Sequence, residues 1–304
     1  MDFFIQLFSD PVAFWNSHGL LISQIGVNGM LATSMFLVLY SGQLSLAAPG
    51  FMAVGAYVSV LMGLYWHTPL PLNIAVATLG AGVLGALVGL PVLRLRGVFL
   101  AIATIGFVEA LRLGVILNLP ITGEGLGLKN PSADPLGGVN PVLISLAVVV
   151  FIVWRLTRGR LGAAWSAIRQ DELAALSQGI DVARYKMIAF VLSALIAGFA
   201  GAMEAHLNFF VDQGQYDVTR AVQILTFAVL GGSGYVLGPV VGALIVTLLP
   251  WIFQGAGDYI NIFSGIFLIA VIVFRPQGIV GRGGLAIMRP AWWPRTRSRA
   301  AAPG

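Results

Sequence analysis

The sequence predicts an all-α fold, a polytopic transmembrane helical bundle of about eight to ten spans, on three observations. Of its 304 residues 58% are hydrophobic and only 10% charged, where a soluble domain carries about 25% charged residues. The apolar residues fall in blocks close to the length of about 20 that a helix needs to cross a hydrocarbon core of roughly 30 Å. The basic residues collect in three of the connections and largely avoid the others, the asymmetry of an inserted chain.

In chain order, the apolar blocks place spans at about 20–40, 43–65, 70–93, 98–118, 140–156, 187–207, 221–235, 237–254 and 259–275. Only Ser41 and Gly42 separate the first from the second, and the seventh is short and runs into Gly231-Gly232-Ser233-Gly234. Either is a candidate broken or re-entrant helix, a conformation tolerated at membrane depth only where protein or a cavity surrounds the backbone. Gly85 and Gly89, Ala194 and Gly198, Ala197 and Gly201, and Gly238 and Gly242 stand four apart. Small residues at that spacing let helices approach closely in lipid, so these pairs read as bundle packing.

Arg94 and Arg96 make the first basic connection; Arg155 to Lys186 holds six Lys and Arg, and the tail from Arg275 to Arg299 another six, of 17 in the chain. The alternate connections carry Glu124 and Asp134, Asp212 and Asp217, and Asp258. By the positive-inside rule the basic set is cytoplasmic, and nine crossings with the N-terminus outside and the C-terminus inside satisfy every loop. The net charge of +5 is then topology, and no nucleic-acid partner is expected. Residues 1–282 read as one transmembrane domain and 283–304 as a basic cytoplasmic tail, with Trp292 and Trp293 as interfacial anchors. The N-terminal stretch has Asp2 and Asp10 but no Lys or Arg, so no cleaved signal peptide is expected. Cysteine is absent, which removes thiolate metal sites and cysteine nucleophiles. No G-x-x-x-x-G-K-[ST], H-E-x-x-H or G-x-S-x-G occurs, so neither a cofactor, a metal nor ATP binding by a P-loop is expected.

The polar interruption from Thr157 to Lys186 is the most informative segment. Leu161 to Gln178 is rich in helix formers and predicts a helix that ends at Gly179 as a C-cap. Ile168, Ala175 and Leu176 share one face with Trp165 a turn earlier, while Arg169, Asp171, Glu172 and Gln178 lie elsewhere around it. A short amphipathic helix at a membrane surface lies on lipid or seats in a protein groove. The mixed charges argue against lipid alone, and a solvated loop helix is the plain alternative.

Here the sequence resembles a family. DELAALSQGIDVARYK is similar to the EAA-type loop of ABC importer permeases. GRLGAAWSAIRQDELAALSQGID followed by KMIAFVLSALIAGFAGAMEAH resembles the LivM-type permeases of branched-chain amino acid importers. So do YSGQLSLAAPGFMAVGAY (40–57), LRLRGVFLAIATIGFVEALR (93–112), LGGSGYVLGPVVGA (230–243) and FRPQGIVG (274–281). The matching blocks spread from residue 20 to residue 282, nearly the whole chain.

The resemblance implies an ABC importer permease, a transport subunit and not an enzyme. ATP hydrolysis would reside in two ABC ATPase subunits at the cytoplasmic face, which seat the loop helix as a coupling element. Carried over by residue, Glu172, Ala174, Ala175 and Gly179 match the EAA…G pattern, with Leu173 intervening. Ala174 and Ala175 become the small pair allowing close seating, Gly179 the turn, and Arg169, Asp171 and Glu172 the charged contacts. A LivH-type second permease subunit would complete the pore, and a periplasmic or lipid-anchored substrate-binding protein would deliver cargo to loops 119–139 and 208–220. The implied cargo is branched-chain or related hydrophobic amino acids, with urea, amides or aromatic acids as the alternative. The implied location is the bacterial cytoplasmic (inner) membrane, with the lipid bilayer around the spans.

Four residues are candidates for a translocation pathway. Gln43 and Ser45 follow Gly42 at the start of the second span, where they either line a pathway or hydrogen-bond neighbouring backbone. Glu109 and Arg112 stand at i, i+3 in the fourth span, where a lone charge costs roughly 2.5–3.5 kcal/mol. They either serve transport or lock the helix as an internal ion pair. Glu204 and His206, near the outer end of the sixth span, read as interface residues. An ion-coupled secondary transporter would need mid-membrane carboxylates on broken helices, and the one mid-span carboxylate, Glu109, has an arginine beside it. An intramembrane enzyme would need convergent polar groups in the core, and the three His all fall near span ends.

Overall fold

The computed structural model describes residues 18–252, apart from 117, 119, 124–126, 130–138, 209 and 233, together with residues 265, 278 and 279. The expected ninth span apart from Gly265, the basic tail with its tryptophans, and Glu124, Asp134 and Asp258 lie outside the described residues.

Within them the chain forms helices α1 (Gly19–Tyr40), α2 (Ala48–Trp66), α3 (Leu70–Val92), α4 (Val98–Glu109) and α5 (Val139–Arg158). Two short helices follow, α6 (Arg160–Gln170) and α7 (Glu172–Ser177), then α8 (Val182–Leu207), α9 (Val218–Gly231) and α10 (Leu237–Ile252). Five of these, α1, α2, α3, α5 and α8, are long and apolar enough to cross a membrane. α4 continues as a π-helical segment, Ala110–Ile116, so the two together reach a comparable length. Strands β1 (Leu128–Lys129) and β2 (Phe210–Val211) pair antiparallel, Leu128 opposite Val211 and Lys129 opposite Phe210. They tie together two loops expected on the same side of the membrane.

α8 is the organising helix and packs on α1, α2 and α3. A Cβ on Gly55 of α2 would collide with the Gly198 carbonyl of α8, and one on Gly201 with the Met52 carbonyl, so the two backbones touch. With no aqueous drive for association between spans, this closeness supplies van der Waals contact instead. Phe51 fills the junction of three helices, with ring centroids 5.5 Å from both Phe107 and Phe190. α1 is enclosed by α5, α8, α9 and α10 and is buried at every residue from Gly26 to Val38. α9 and α10 form a hairpin whose Gly242 rests on the Phe227 carbonyl. Its tip residue Val236 packs with Phe36, Leu37, Val153, Trp165 and Ala189, at the end of the bundle that also carries the α6–α7 loop. The Ile279 N–H donates to the Leu230 carbonyl at 2.9 Å, beside that tip.

Three expectations are corrected. The second span is helical only from Ala48: Gln43 to Ala47 are not helical, and all but the half-buried Leu44 are buried. Gly42 turns the chain with φ +79°, and Pro49, in the first turn of α2, suits a helix start and not a helix interior. The seventh span begins earlier than expected, at Val218, and ends at Gly231, where Gly232 leaves the helix with φ +98°. The loop helix is two helices, with a corner at Asp171.

Candidate functional site

The corner has a clear cause. The Asp171 N–H closes α6 on the Ala167 carbonyl at 3.1 Å, while its carboxylate accepts from the N–H groups of Leu173 (2.8 Å) and Ala174 (3.1 Å). One residue therefore ends a helix and N-caps the next. α7 then stops at Gly179, whose φ of +80° permits the expected glycine C-cap. Because the path bends, Ile168 and Ala175 meet from separate helices and bury with Val182 in a small core of their own. Trp165, fully buried, donates from Nε1 to the Tyr185 carbonyl at 2.8 Å and pins α6 to the start of α8.

This changes which side chains look outward. Of the four residues expected on one apolar face, Trp165, Ile168 and Ala175 point into the protein, and Leu176 is 49% exposed. Leu173, the residue that interrupts the EAA pattern, is 71% exposed. Ala174, Arg169, Asp171, Gln178 and Gly179 are also exposed, whereas Ala175 is buried and cannot form a small pair with Ala174 for an outside surface. Glu172 turns inward to an ion pair with Lys186, and Arg96, from the α3–α4 connection, adds its guanidinium at 3.9 Å. Arg96, the loop and the α1–α2 connection thus share one end of the bundle. A Cβ on Gly42 would lie 3.1 Å from the Arg169 Cα, so the end of α6 rests on that turn.

The four pathway candidates fall in two places. Gln43 is buried, and its Nε2 donates to Ser41 Oγ (2.8 Å) and to the Lys186 carbonyl (3.0 Å). Ser45 is buried, with Oγ accepting from the Ala47 N–H at 3.3 Å. Both are engaged with backbone at the foot of α1, α2 and α8. Glu109 and Arg112 lie where α4 becomes π-helical; Nε and NH2 of Arg112 both donate to Glu109 Oε2, at 3.0 and 2.8 Å. Their side chains remain 28% and 23% exposed.

A second polar network was not singled out from the sequence. Arg220, in the first turn of α9, donates to Glu204 Oε1 at 3.3 Å, to Asn28 Oδ1 at 3.0 Å and to Gln223 Oε1 at 3.0 Å. Asn28 in turn donates to Thr247 Oγ1 at 2.9 Å, so α1, α8, α9 and α10 share one cluster. Glu204 and His206, in the last turn of α8, therefore face into the bundle, and His206 Nε2 lies 2.7 Å from Ser59 Oγ. The signal that was present is Asn28, a buried amide in the apolar run 20–40. Beside the cluster, Asp217 N-caps α9. Burial pushes its carboxyl up, but the Arg220 N–H, the Thr219 hydroxyl, the Arg112 guanidinium and the Thr219 N–H bring it below the usual carboxylate range. Among the described residues no three His, Asp or Glu side chains gather as a metal site requires.

Residues 19–275 match the family described as the branched-chain amino acid transport system permease component. The chain is 32% identical over 292 residues to the high-affinity branched-chain amino acid transport system permease protein LivM of Escherichia coli K12, covering 86% of this chain and 67% of that protein. It is 28% identical over 254 residues to the ribose import permease protein RbsC of the same strain, 75% of each chain. It is also 28% identical over 273 residues to the L-arabinose ABC transporter permease protein AraH of Azospirillum brasilense, 84% of this chain and 79% of that one. No solved structure matches. A helical bundle with a capped, outward-facing loop helix, matched over most of its length, makes this chain a member of the branched-chain amino acid transport system permease family of ABC transporters.

Proposed function

We propose that the chain is the LivM-type half of an inner-membrane importer and that it moves branched-chain or related hydrophobic amino acids. In this reading a LivH-type permease completes the pore, a substrate-binding protein docks on the loops joined by β1 and β2, and two ATPase subunits grip the α6–α7 loops. The loop end is then cytoplasmic, as its arginines require under the positive-inside rule, and the C-terminus lies on the same side.

The observation that carries the reading is the exposure of Leu173 (71%) and Leu176 (49%) on a helix braced from behind by the Glu172–Lys186 pair. Two leucines held out on a capped helix present an apolar anchor to a groove. The bracing supplies a route for force. A displacement of α7 acts through Lys186 on α8, and through the Lys186 carbonyl on Gln43 and the turn between α1 and α2. Because α8 packs on α1, α2 and α3, closing of the ATPases on ATP binding would shift the bundle as a unit and reverse the side to which the pathway opens.

The choice of cargo rests on 32% identity to an amino acid permease against 28% to the ribose permease. Uptake of radiolabelled leucine, ribose and urea into vesicles holding the full complex tests it. ATP-dependent accumulation of leucine alone is the expected result, and accumulation of ribose or urea without leucine would reassign the cargo.

A further inference from the structure

The exposed surface of the bundle has two characters. Along α3 the exposed large side chains are Leu72, Val76, Leu79, Val83, Leu87 and Leu90, without a polar group among them. α5 repeats the pattern with Ile144, Val148 and Phe151. Lipid suits both. The face shared by α4 and α9 is different. On α4 and its π-helical extension the exposed apolar residues Val98, Phe99, Ile102 and Leu113 are interrupted by the small exposed positions Gly106, Ala110 and Gly114, with the half-buried Glu109–Arg112 pair alongside. Among the described residues, nothing beyond the helix's own neighbouring turns lies within 4 Å of a Cβ placed on Gly106 or Gly114. On α9 the exposed positions are Thr219, Val222, Gln223 and Val229.

These two sets form one surface. α4 and α9 are in contact, and the Arg112 guanidinium acts on the Asp217 carboxylate at the head of α9. Asp217 and Gln223 each meet Arg220, which continues the polar strip down the helix. The strip extends into the membrane: Gln223 lies about 9 Å along α9 from Asp217, and Glu109 about 16 Å along α4 from Val98. Charged and amide groups at such depth cost several kcal/mol against hydrocarbon and face protein or a water-filled cavity instead.

We propose that this α4–α9 face borders the aqueous route by which the cargo crosses, and that α3 and α5 form the lipid-facing side. Gly106, Ala110 and Gly114 leave the width along the route, and the Glu109–Arg112 pair offers a small zwitterion both of its counter-charges, ammonium to Glu109 and carboxylate to Arg112. Gln43 and Ser45, buried against backbone, lie outside this lining. The zwitterion rests on the amino acid reading above; the aqueous face does not.

The absence of cysteine from the chain makes the test direct. Single cysteines would be placed at Ala110, Gln223 and Thr226, and at Val83, Leu87 and Val148 for comparison, in the complete complex in membrane vesicles. A membrane-impermeant trimethylammonium methanethiosulfonate would be added, and modification read as a mass shift of this chain. Only a thiolate reacts, and it forms only in water, so the α4–α9 cysteines should be modified at least about tenfold faster than the α3 and α5 cysteines. Leucine at saturating concentration should slow that modification. Equal rates in the two sets, or no reaction on α4 and α9, would overturn the proposal. Fast modification that leucine leaves unchanged would keep the aqueous face and remove amino acids as its cargo. All six positions are exposed or partly exposed, so the substitutions are compatible with folding, and labelling after denaturation confirms that each thiol is present.

Discussion

Lys186, near the start of α8, holds the Glu172 carboxylate at the head of α7 with its own side chain only 11% exposed. Removing the carboxylate leaves a nearly buried ammonium without its main counter-charge. Glu172→Gln is therefore expected to loosen α7 by about 1–3 kcal/mol, seen as faster amide hydrogen exchange over 172–178 with the spans unchanged. The exchanged pair Glu172→Lys with Lys186→Glu should recover part of the protection. Unaltered exchange in the single variant would show that the pair does not brace the helix.

Leu173 behaves in the opposite way. It is exposed and touches little of its own chain, so Leu173→Asp should change thermal stability by no more than about 0.5 kcal/mol. Retention of the ATPase subunits during purification should nevertheless fall sharply, along with ATP-dependent uptake. If the ATPases remain bound at wild-type stoichiometry, the apolar anchor is elsewhere.

At the opposite end of the bundle, Arg220 and Glu204 have side chains 16% and 19% exposed. Arg220→Met strands a carboxylate inside the bundle and releases Asn28. A loss of about 3 kcal/mol or more is expected, measured as thermal unfolding in detergent. Adding Glu204→Gln should restore more than half of it, since the uncompensated charge is then gone. Equal instability of the single and double variants would point to lost packing as the cause.

Asp217 adds a pH dependence of known sign. Its carboxyl titrates below the usual range in the folded chain, so the unfolded chain binds its proton at a higher pH than the folded one. The stabilisation is complete above the ordinary aspartate pKa of about 4 and is lost as pH falls through the lower folded value. Asp217→Asn should flatten that part of the stability profile between pH 5 and 3 and leave neutral pH nearly unaffected apart from the weakened cap. A profile identical to wild type would contradict the assignment.

Much of the architecture could be read from residue order. The spans now seen as α1, α3, α5 and α8 are long apolar runs with clear polar ends, and Gly198 and Gly201 lie where four-residue spacing of small side chains puts them. The start of α2 was not legible, because Gln43-Leu44-Ser45-Leu46-Ala47 satisfies a helix and a buried extended segment equally well. The outward face of the loop was misplaced for a geometric reason. A single straight helix puts Ile168, Ala175 and Leu176 on one side; the Asp171 corner re-aims α7 so that Ala175 still meets Ile168 while Leu176, about 100° farther round the helix, faces outward. The π-helical turn after Glu109 leaves no mark on periodicity over seven residues. The Arg220–Asn28 contact spans 192 residues, and no local pattern carries a pairing of that range.

The enclosure of α1 has a consequence for how the protein is made. α1 is translated ahead of every other described helix, yet its polar groups have partners that come much later. Ser34 meets Ser193 159 residues on, while Asn28 meets Arg220 and Thr247 192 and 219 residues on. At 5–20 residues per second the last of these arrives about 10–40 s after Asn28 has left the ribosome. During that interval the innermost helix of the finished protein stands in lipid or against the insertion machinery with an amide exposed. A ribosome that stalls after Ser193 but before Arg220 leaves Ser34 matched and Asn28 bare, so the helix made ahead of all the other described ones is sealed in the protein only when α10 is complete.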